Sequence, residues 1–106
     1  MNAIHTLQLT KAQLLINGEF IESKTTHWQD IVNPATQEVI GQVPFATVDE
    51  VNAAIESAQN AFASWSQTPI QARMRIMLKL QDLIRQNAKD IAKVLTSEQG
   101  KTLADA

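Results

Sequence analysis

The sequence predicts an α+β chain in which β-hairpins come first and three amphipathic helices follow. Two turn signals between short apolar runs predict the hairpins, and a change of apolar spacing after Thr47, from two to between three and four, predicts the helices. The chain has 106 residues, of which 44% are hydrophobic and 19% charged, and this composition fits one small folded domain. The predicted order contains no strand–helix–strand unit.

The first predicted hairpin lies in "LLINGEFIES", where two short apolar runs flank Asn17 and Gly18. Asn-Gly is the pair best suited to the positive φ angles of a two-residue type I′ turn. A second extended pair is predicted from "QDIV" and "EVIGQVP" around "NPATQ", because Pro34 fixes its own φ and disfavours helix at Asn33. Gly41 in the returning strand permits a bulge or the close approach of another backbone.

The first predicted helix begins after Thr47, which forms a capping box with Glu50 three residues later. Apolar residues then recur at spacings of three and four, as one face of an amphipathic helix requires. These residues are Val51, Ile55, Ala58, Phe62 and Trp65.

The second predicted helix begins at Pro69, with Thr68 as its N-cap and Gln71 at its third position. Its apolar residues form an unusually wide stripe, so we expect this helix to be covered over much of its circumference. The stripe consists of Ile70, Met74, Met77, Leu80 and Ile84, widened by Ile76 and Leu83.

A third helix is predicted to begin at Asn87, which pairs with Asp90 as a cap, and to end at Gly100 in the left-handed conformation. This ending explains the string "EQGK" as a helix C-terminus without a catalytic role. Thr102 and Asp105 then have the spacing of another helix start.

These elements divide the chain into a flexible lead-in over residues 1–13, hairpins over 14–46 and helices over 47–106. Several classes of function are disfavoured by the composition. The formal net charge of -2 provides no broad positive field for nucleic acid, and no apolar run approaches the roughly 20 residues of a membrane helix. A cytoplasmic location is the default expectation, or the mitochondrial matrix in a processed homologue.

No catalytic, cofactor-binding or metal-binding residue is predicted within the chain. The absence of cysteine removes disulfides, thiolate zinc sites and thiol nucleophiles. His5 and His27 are isolated from further ligands, so structural or solvated roles are favoured over a metal site. The three glycines, at 18, 41 and 100, are too far apart to form a glycine-rich phosphate loop.

Several strings in order resemble the N-terminal segment of the NAD-dependent aldehyde dehydrogenase superfamily, from about Leu14 to the last residue. They are "LLINGEFIES", "IVNPATQEVIGQVP", "VDEVNAAIESAQNAFASWS", "ARMRIMLKLQDLI" and "EQGK". "NPATQEVIG" and "EQGK" are the more specific pieces. Within the superfamily, "TPIQARMRIMLKLQDLI" and "LTSEQGKTLADA" look most like the CoA-acylating branch that acts on methylmalonate semialdehyde.

The resemblance implies that the segment begins an aldehyde-dehydrogenase-like α/β cofactor domain and that Ala106 interrupts a longer chain. It further implies a parent homo-oligomer of valine catabolism that oxidises (methyl)malonate semialdehyde with NAD and CoA to an acyl-CoA and carbon dioxide. The parent's cysteine, general-base glutamate, oxyanion asparagine and nucleotide contacts would all lie beyond residue 106. The segment alone should therefore be inactive and should not bind NAD by itself.

Three further readings stay open at this point. Some members of the superfamily hold a structural monovalent cation, which would correspond to backbone carbonyls at Ile31 or Val32 and to the Glu98 side chain. A hydrolytic branch of the superfamily is an alternative to the CoA-acylating one. A non-catalytic module is another, associating with itself through hairpin edges and the apolar face around Met74 and Met77.

Overall fold

The computed structural model describes residues 10–106, which form five strands followed by three helices. The order of strands and then three helices is the predicted one, with one strand more than the two predicted hairpins supply. Their bounds are β1 Thr10–Lys11, β2 Leu14–Ile16, β3 Glu19–Ile21, β4 Trp28–Val32, β5 Val39–Pro44, α1 Val48–Trp65, α2 Ile70–Gln86 and α3 Ala88–Gln99. The strands form a three-stranded sheet in the order β1-β5-β4 and a separate two-stranded sheet of β2 and β3.

The Asn-Gly hairpin is confirmed. Strands β2 and β3 pair antiparallel, with Ile16 opposite Glu19, so that the turn contains only Asn17 and Gly18. Both turn residues have positive φ, 55° and 77°, as a type I′ turn requires.

The second antiparallel pair is also confirmed, and a side chain shapes its turn. Strands β4 and β5 pair with a register irregularity between Ile31 and Val32. The Asn33 Oδ1 atom accepts a hydrogen bond from the Ala35 N–H at 2.9 Å, and the Gln37 N–H donates to the Asn33 carbonyl at 2.8 Å. This short polar turn brings the chain back into β5.

The prediction of a flexible lead-in is wrong at its C-terminal end, where the structure has strand β1. Thr10 and Lys11 pair parallel with Gly41 and Gln42, and the Ala12 N–H donates to the Gln42 carbonyl at 2.9 Å. A Cβ atom on Gly41 would lie 2.9 Å from the Thr10 carbonyl oxygen, so the missing side chain permits this close pairing. The remainder of the predicted lead-in, residues 1–9, lies outside the described residues.

The capping box of α1 is confirmed in both directions. The Glu50 N–H donates to Thr47 Oγ1 at 3.2 Å, and the Thr47 N–H donates to Glu50 Oε1 at 2.8 Å. Two of the amide groups at the helix start are thus satisfied reciprocally.

The predicted start of α2 is wrong by one residue, and its predicted side-chain cap does not form. Pro69 is extended at ψ 147° and occupies the cap position, where its carbonyl accepts from the Arg73 N–H at 3.1 Å. The Thr68 hydroxyl donates instead to the Ser64 carbonyl at 3.1 Å. The Thr68 side chain therefore bonds to the last turn of α1 and does not cap the start of α2.

Asn87 behaves similarly between α2 and α3. It occupies the cap position of α3, but its Nδ2 atom donates to the Leu83 carbonyl at 2.8 Å and no side-chain cap of α3 forms. At the other end of α3, the prediction for Gly100 is confirmed, with φ 78° and its N–H donating to the Thr96 carbonyl at 2.9 Å. The Asp105 N–H donates to Thr102 Oγ1 at 3.3 Å, as the spacing of these two residues predicts, but residues 103–105 form a turn and not the predicted helix.

Within residues 10–106, no hydrophobic side chain is buried, and Gly41 is the single buried residue. The apolar faces of the helices are therefore open, including that of α1, where Phe62 is 69% exposed. None of the helices in this part of the chain is long and apolar enough to cross a bilayer.

Polar contacts converge on Glu50, where the strands meet α1. Its carboxylate accepts from the Ser23 hydroxyl at 2.6 Å and from the Lys24 N–H at 2.8 Å, in addition to the Thr47 N–H. We call these contacts the Glu50 junction. These hydrogen bonds lower the pKa of Glu50 from 4.5 to about 2. The bond from the Ser23 hydroxyl has the largest effect, followed by those from the backbone N–H groups of Lys24 and Thr47.

The lowered pKa predicts a pH dependence for the Glu50 junction. Because the folded pKa lies below the ordinary value, the junction should be fully formed above about pH 4.5 and lost as the pH falls toward 2. The titration of the Glu50 carboxyl carbon, followed by NMR, should have its midpoint near pH 2. Glu50→Gln should speed hydrogen exchange of the Lys24 amide, whereas Glu56→Gln on the same helix should leave it unchanged. A midpoint near 4.5 would contradict the junction.

Candidate functional site

The two most specific strings of the sequence meet in the structure. A Cβ atom on Gly100, in "EQGK", would lie 3.0 Å from Pro34 Cγ, in "NPATQ". The turn between β4 and β5 therefore lies against the C-terminus of α3. One side of this contact is the β4–β5 turn, which the Asn33 side chain stabilises. The other side is Gly100, which has the left-handed conformation.

Beside this contact, β5 and the neighbouring strands form a cavity of about 320 Å³ with α3. Its lining is mostly apolar or uncharged, and Glu98 is the one charged side chain among the lining residues. The lining residues are Thr10, Ala12, Ile31, Ile40, Gly41, Gln42, Val94, Ser97 and Glu98. The cavity is thus built from the β1–β5 pairing, the strand β4 and one face of α3.

The structure brings together two of the residues named for a monovalent cation, since Ile31 and Glu98 line the same cavity. Hard cations take roughly six or more oxygen ligands, and a single carboxylate supplies at most two of them. Within residues 10–106, no group of three or more His, Cys, Asp or Glu side chains is placed to hold a metal. The cation site therefore stays an open alternative, and no metal ligand is assigned.

The histidines are not brought to this cavity by any described contact. His27 is exposed in the loop before β4, where its N–H donates to Thr25 Oγ1 at 3.1 Å. His5 lies outside the described residues.

A dinucleotide phosphate needs free backbone N–H groups, usually in a glycine-rich loop at a helix start. Each glycine of this chain has a different structural role, since Gly18 forms the hairpin turn, Gly41 admits β1, and Gly100 ends α3. The N-terminus of α1 is occupied by the carboxylate of its own Glu50. Neither the glycines nor the N-terminus of α1 therefore provides a phosphate-binding loop.

Comparison with known proteins identifies the origin of this arrangement. Residues 20–106 match the aldehyde dehydrogenase family. The chain belongs to this family. The resemblance carried by "NPATQEVIG" and "EQGK" is thereby confirmed, and the match includes the β4–β5 turn and α3.

The relatives include the human mitochondrial methylmalonate-semialdehyde/malonate-semialdehyde dehydrogenase (acylating). This chain is 54% identical to it over 94 residues, which are 89% of this chain and 18% of the human protein. The methylmalonate-semialdehyde dehydrogenase of Oceanimonas doudoroffii is a solved structure with 36% identity and a TM-score of 0.84. A betaine aldehyde dehydrogenase of Staphylococcus aureus in complex with NAD⁺ has 35% identity and a TM-score of 0.81.

Each of these two structures covers 92% of this chain, while the chain covers 20% of each structure. The chain thus spans about one fifth of the length of its aldehyde dehydrogenase relatives. The strands and helices described above are the N-terminal part of that fold.

Substitution of Gly100 tests the contact between the turn and α3. Gly100→Ala should cost about 1–2 kcal/mol for its positive φ and, in addition, displace Pro34. Gly18→Ala is the matched control, because Gly18 has nearly the same φ but no heavy atom within 4 Å of its added Cβ. Hydrogen exchange of the Gln37 amide should accelerate in Gly100→Ala and not in Gly18→Ala. Equal exchange in both variants would contradict the contact.

Proposed function

We propose that this segment is the N-terminal portion of an enzyme that oxidises methylmalonate or malonate semialdehyde with NAD and CoA to an acyl-CoA and carbon dioxide. The 54% identity to the human acylating enzyme is the observation that carries the proposal. The proposal includes a homo-oligomeric parent, and it leaves the cytoplasm or the mitochondrial matrix as locations.

The branch of the family is supported by sequence identity rather than by the fold. The chain is 36% identical to a methylmalonate-semialdehyde dehydrogenase of known structure and 35% identical to a betaine aldehyde dehydrogenase, with similar TM-scores. Structural similarity therefore does not separate the two. Human, mouse and bovine acylating enzymes share 51–54% identity with the segment, which favours that branch.

In the proposed reaction, a cysteine thiolate outside this segment would add to the semialdehyde carbonyl, and NAD, when bound, would supply the two-electron oxidation of the adduct to a thioester. The CoA thiol would displace the enzyme thiol, and the carbon from which the carboxylate departs as carbon dioxide would take up a proton. Covalent capture of this kind needs a nucleophile and donors to the oxyanion. Residues 1–106 contain no cysteine, so we assign to them the role of a scaffold beside the cofactor site.

Within that scaffold, the described contacts have two roles. The Glu50 junction ties the loop before β4 to α1, and the contact of Pro34 with Gly100 ties the β4–β5 turn to α3. Together they join the strands to two of the three helices. We propose that they set the relative positions of these elements in the parent enzyme.

The proposal predicts that the 106-residue chain is inactive alone. Incubated with methylmalonate semialdehyde, NAD and CoA, it should produce no NADH above the rate without protein, because no thiol nucleophile is present. The control is the human relative assayed in the same mixture. Aldehyde-dependent NADH formation by the short chain would contradict the assignment of the catalytic groups to another segment.

A second prediction concerns the parent enzyme and its resolving nucleophile. The intact mass of the natural protein from its source cells should be several times 11.7 kDa. With methylmalonate semialdehyde and NAD, that protein should form an acyl-CoA and carbon dioxide when CoA is present. Formation of a free acid at the same rate without CoA would instead support the hydrolytic branch.

A further inference from the structure

The Asn17-Gly18 turn is exposed to solvent and lies beside helix α1. Both turn residues are exposed, and the hairpin of β2 and β3 forms a sheet of its own, separate from the three-stranded sheet. Between the turn and α1 lies an open cavity of about 480 Å³, lined by Asn17 on the hairpin side and by Glu56 and Asn60 on the helix side. Asn17 is therefore accessible to water and shares a cavity with a carboxylate.

The backbone nitrogen of Gly18 is also accessible. Within residues 10–106, no group accepts a hydrogen bond from the Gly18 N–H. A Cβ atom added to Gly18 would have no heavy atom within 4 Å apart from its two chain neighbours. Glycine has no side chain of its own to hinder an approach to its nitrogen. The turn thus places an unhindered amide nitrogen directly after an asparagine side chain.

The hairpin can open locally at this turn. Its strands have three residues each, and all three residues of β3 are exposed, with Phe20 at 72%. A two-stranded hairpin of this size has little stability of its own in water. Local opening of such an element needs far less free energy than global unfolding. Once the turn is open, rotation of the Asn17 backbone and side chain brings the Cγ atom of Asn17 against the nitrogen of Gly18.

We propose that Asn17 is a site of spontaneous deamidation, with water as the co-reactant. The nitrogen of Gly18 loses its proton to solvent and bonds to Cγ of Asn17, and the bond from Cγ to Nδ2 breaks as ammonia leaves with a proton. Water then opens the resulting succinimide ring at either carbonyl, and neither step oxidises or reduces any atom. The products are aspartate or isoaspartate at position 17. The proposal does not depend on the reaction proposed above.

Each product changes the turn. Both carry a negative charge that Asn17 lacks, and this charge shares the cavity with Glu56, so the two carboxylates repel each other. Isoaspartate in addition routes the backbone through Cβ and Cγ, which lengthens a turn that contains only two residues. The register of a hairpin depends on the length of its loop. We therefore expect deamidation to weaken the pairing of Ile16 with Glu19 and the contact of the hairpin with α1.

The four other asparagines among residues 10–106 are less suited to this reaction. Asn33 precedes Pro34, which has no N–H. Asn52 and Asn60 lie within α1, where the N–H of the following residue donates to the carbonyl four residues earlier. The Asn87 side chain is held by its hydrogen bond to a carbonyl of α2. None of the four precedes a glycine, so Asn17 should be the fastest site in this part of the chain.

The natural protein, in its full length, tests this ranking without any substitution. Samples are kept at neutral and at mildly alkaline pH and digested at acidic pH, and the peptides with Asn17, Asn33 and Asn60 are compared by mass spectrometry. Deamidation adds about 1 Da, and isoaspartate is identified by methyl transfer from labelled S-adenosylmethionine with an isoaspartyl methyltransferase. Asn17 should react at least about tenfold faster than the other two, because only its neighbour is glycine. The rate should rise with pH, since the attacking nitrogen must lose its proton.

Gly18→Ala in the same protein tests the role of the glycine. Its Cβ atom hinders the attacking nitrogen, so deamidation of Asn17 should be at least about tenfold slower. The positive φ of 77° disfavours alanine, so this variant weakens the turn, and a reaction limited only by turn opening would become faster. Asn60 is the internal control, since its rate should be unchanged in the variant. The readout needs no enzyme activity, so failure of the proposed reaction leaves it unaffected.

The structural consequence is measured on the aged sample itself. Ion exchange separates the deamidated fraction from the unmodified fraction, because each product adds one negative charge. Hydrogen exchange of the β2 and β3 amides should be at least about threefold faster in the deamidated fraction. The α3 amides, none of which lines the cavity beside the turn, are the matched control and should exchange equally in both fractions.

Three results would overturn the proposal. A deamidation rate at Asn17 equal to that at Asn60 in the natural protein would contradict the assignment of the site. Equal or faster deamidation of Asn17 in Gly18→Ala would show that the glycine nitrogen is not the nucleophile. If that variant does not fold, the comparison of asparagines in the natural protein still decides whether Asn17 is the site. Equal hydrogen exchange of the hairpin in both fractions would refute the proposed effect on the turn.

Discussion

The carboxylate of Glu50 connects the two halves of this segment. It accepts hydrogen bonds from the Ser23 hydroxyl, the Lys24 N–H and the Thr47 N–H, so the loop before β4 and the first turn of α1 share one charged acceptor. Its position at the N-terminus of α1 also favours the negative charge, because the helix dipole is positive there. Among residues 10–106 no apolar core performs this connecting role, which makes the polar junction the constraint on which the arrangement depends.

Local signals explain why much of the fold could be predicted from sequence. The Asn17-Gly18 turn and the Thr47–Glu50 capping box each involve residues within a few positions of one another. A short stretch of sequence therefore includes every residue that takes part in the interaction. Thr68 and Asn87 have suitable residue types for caps, but each lies between two helices. Their side chains bond carbonyls of the preceding helix, and a local pattern cannot decide between these two uses.

Contacts between residues far apart in sequence could be predicted less well. Strand β1 pairs with β5 across three intervening strands, and the only trace of this pairing in the sequence is Gly41. For the candidate site, the resemblance identified "NPATQ" and "EQGK" separately but did not show that Pro34 lies against Gly100. The apolar faces of the helices were predictable from their spacing. What covers those faces is not encoded in the spacing, because an amphipathic pattern does not identify its partner.

The parallel pairing of β1 with β5 has a consequence for the order of folding. The two hairpins and the three helices use contacts close in sequence, which form in about microseconds. The β1–β5 pairing must wait until the chain has been made as far as Gln42, and it then closes a long loop. During synthesis on the ribosome, the sheet can be completed before the helices emerge. The open faces of those helices would then be the surface most in need of a chaperone until the rest of the fold is made.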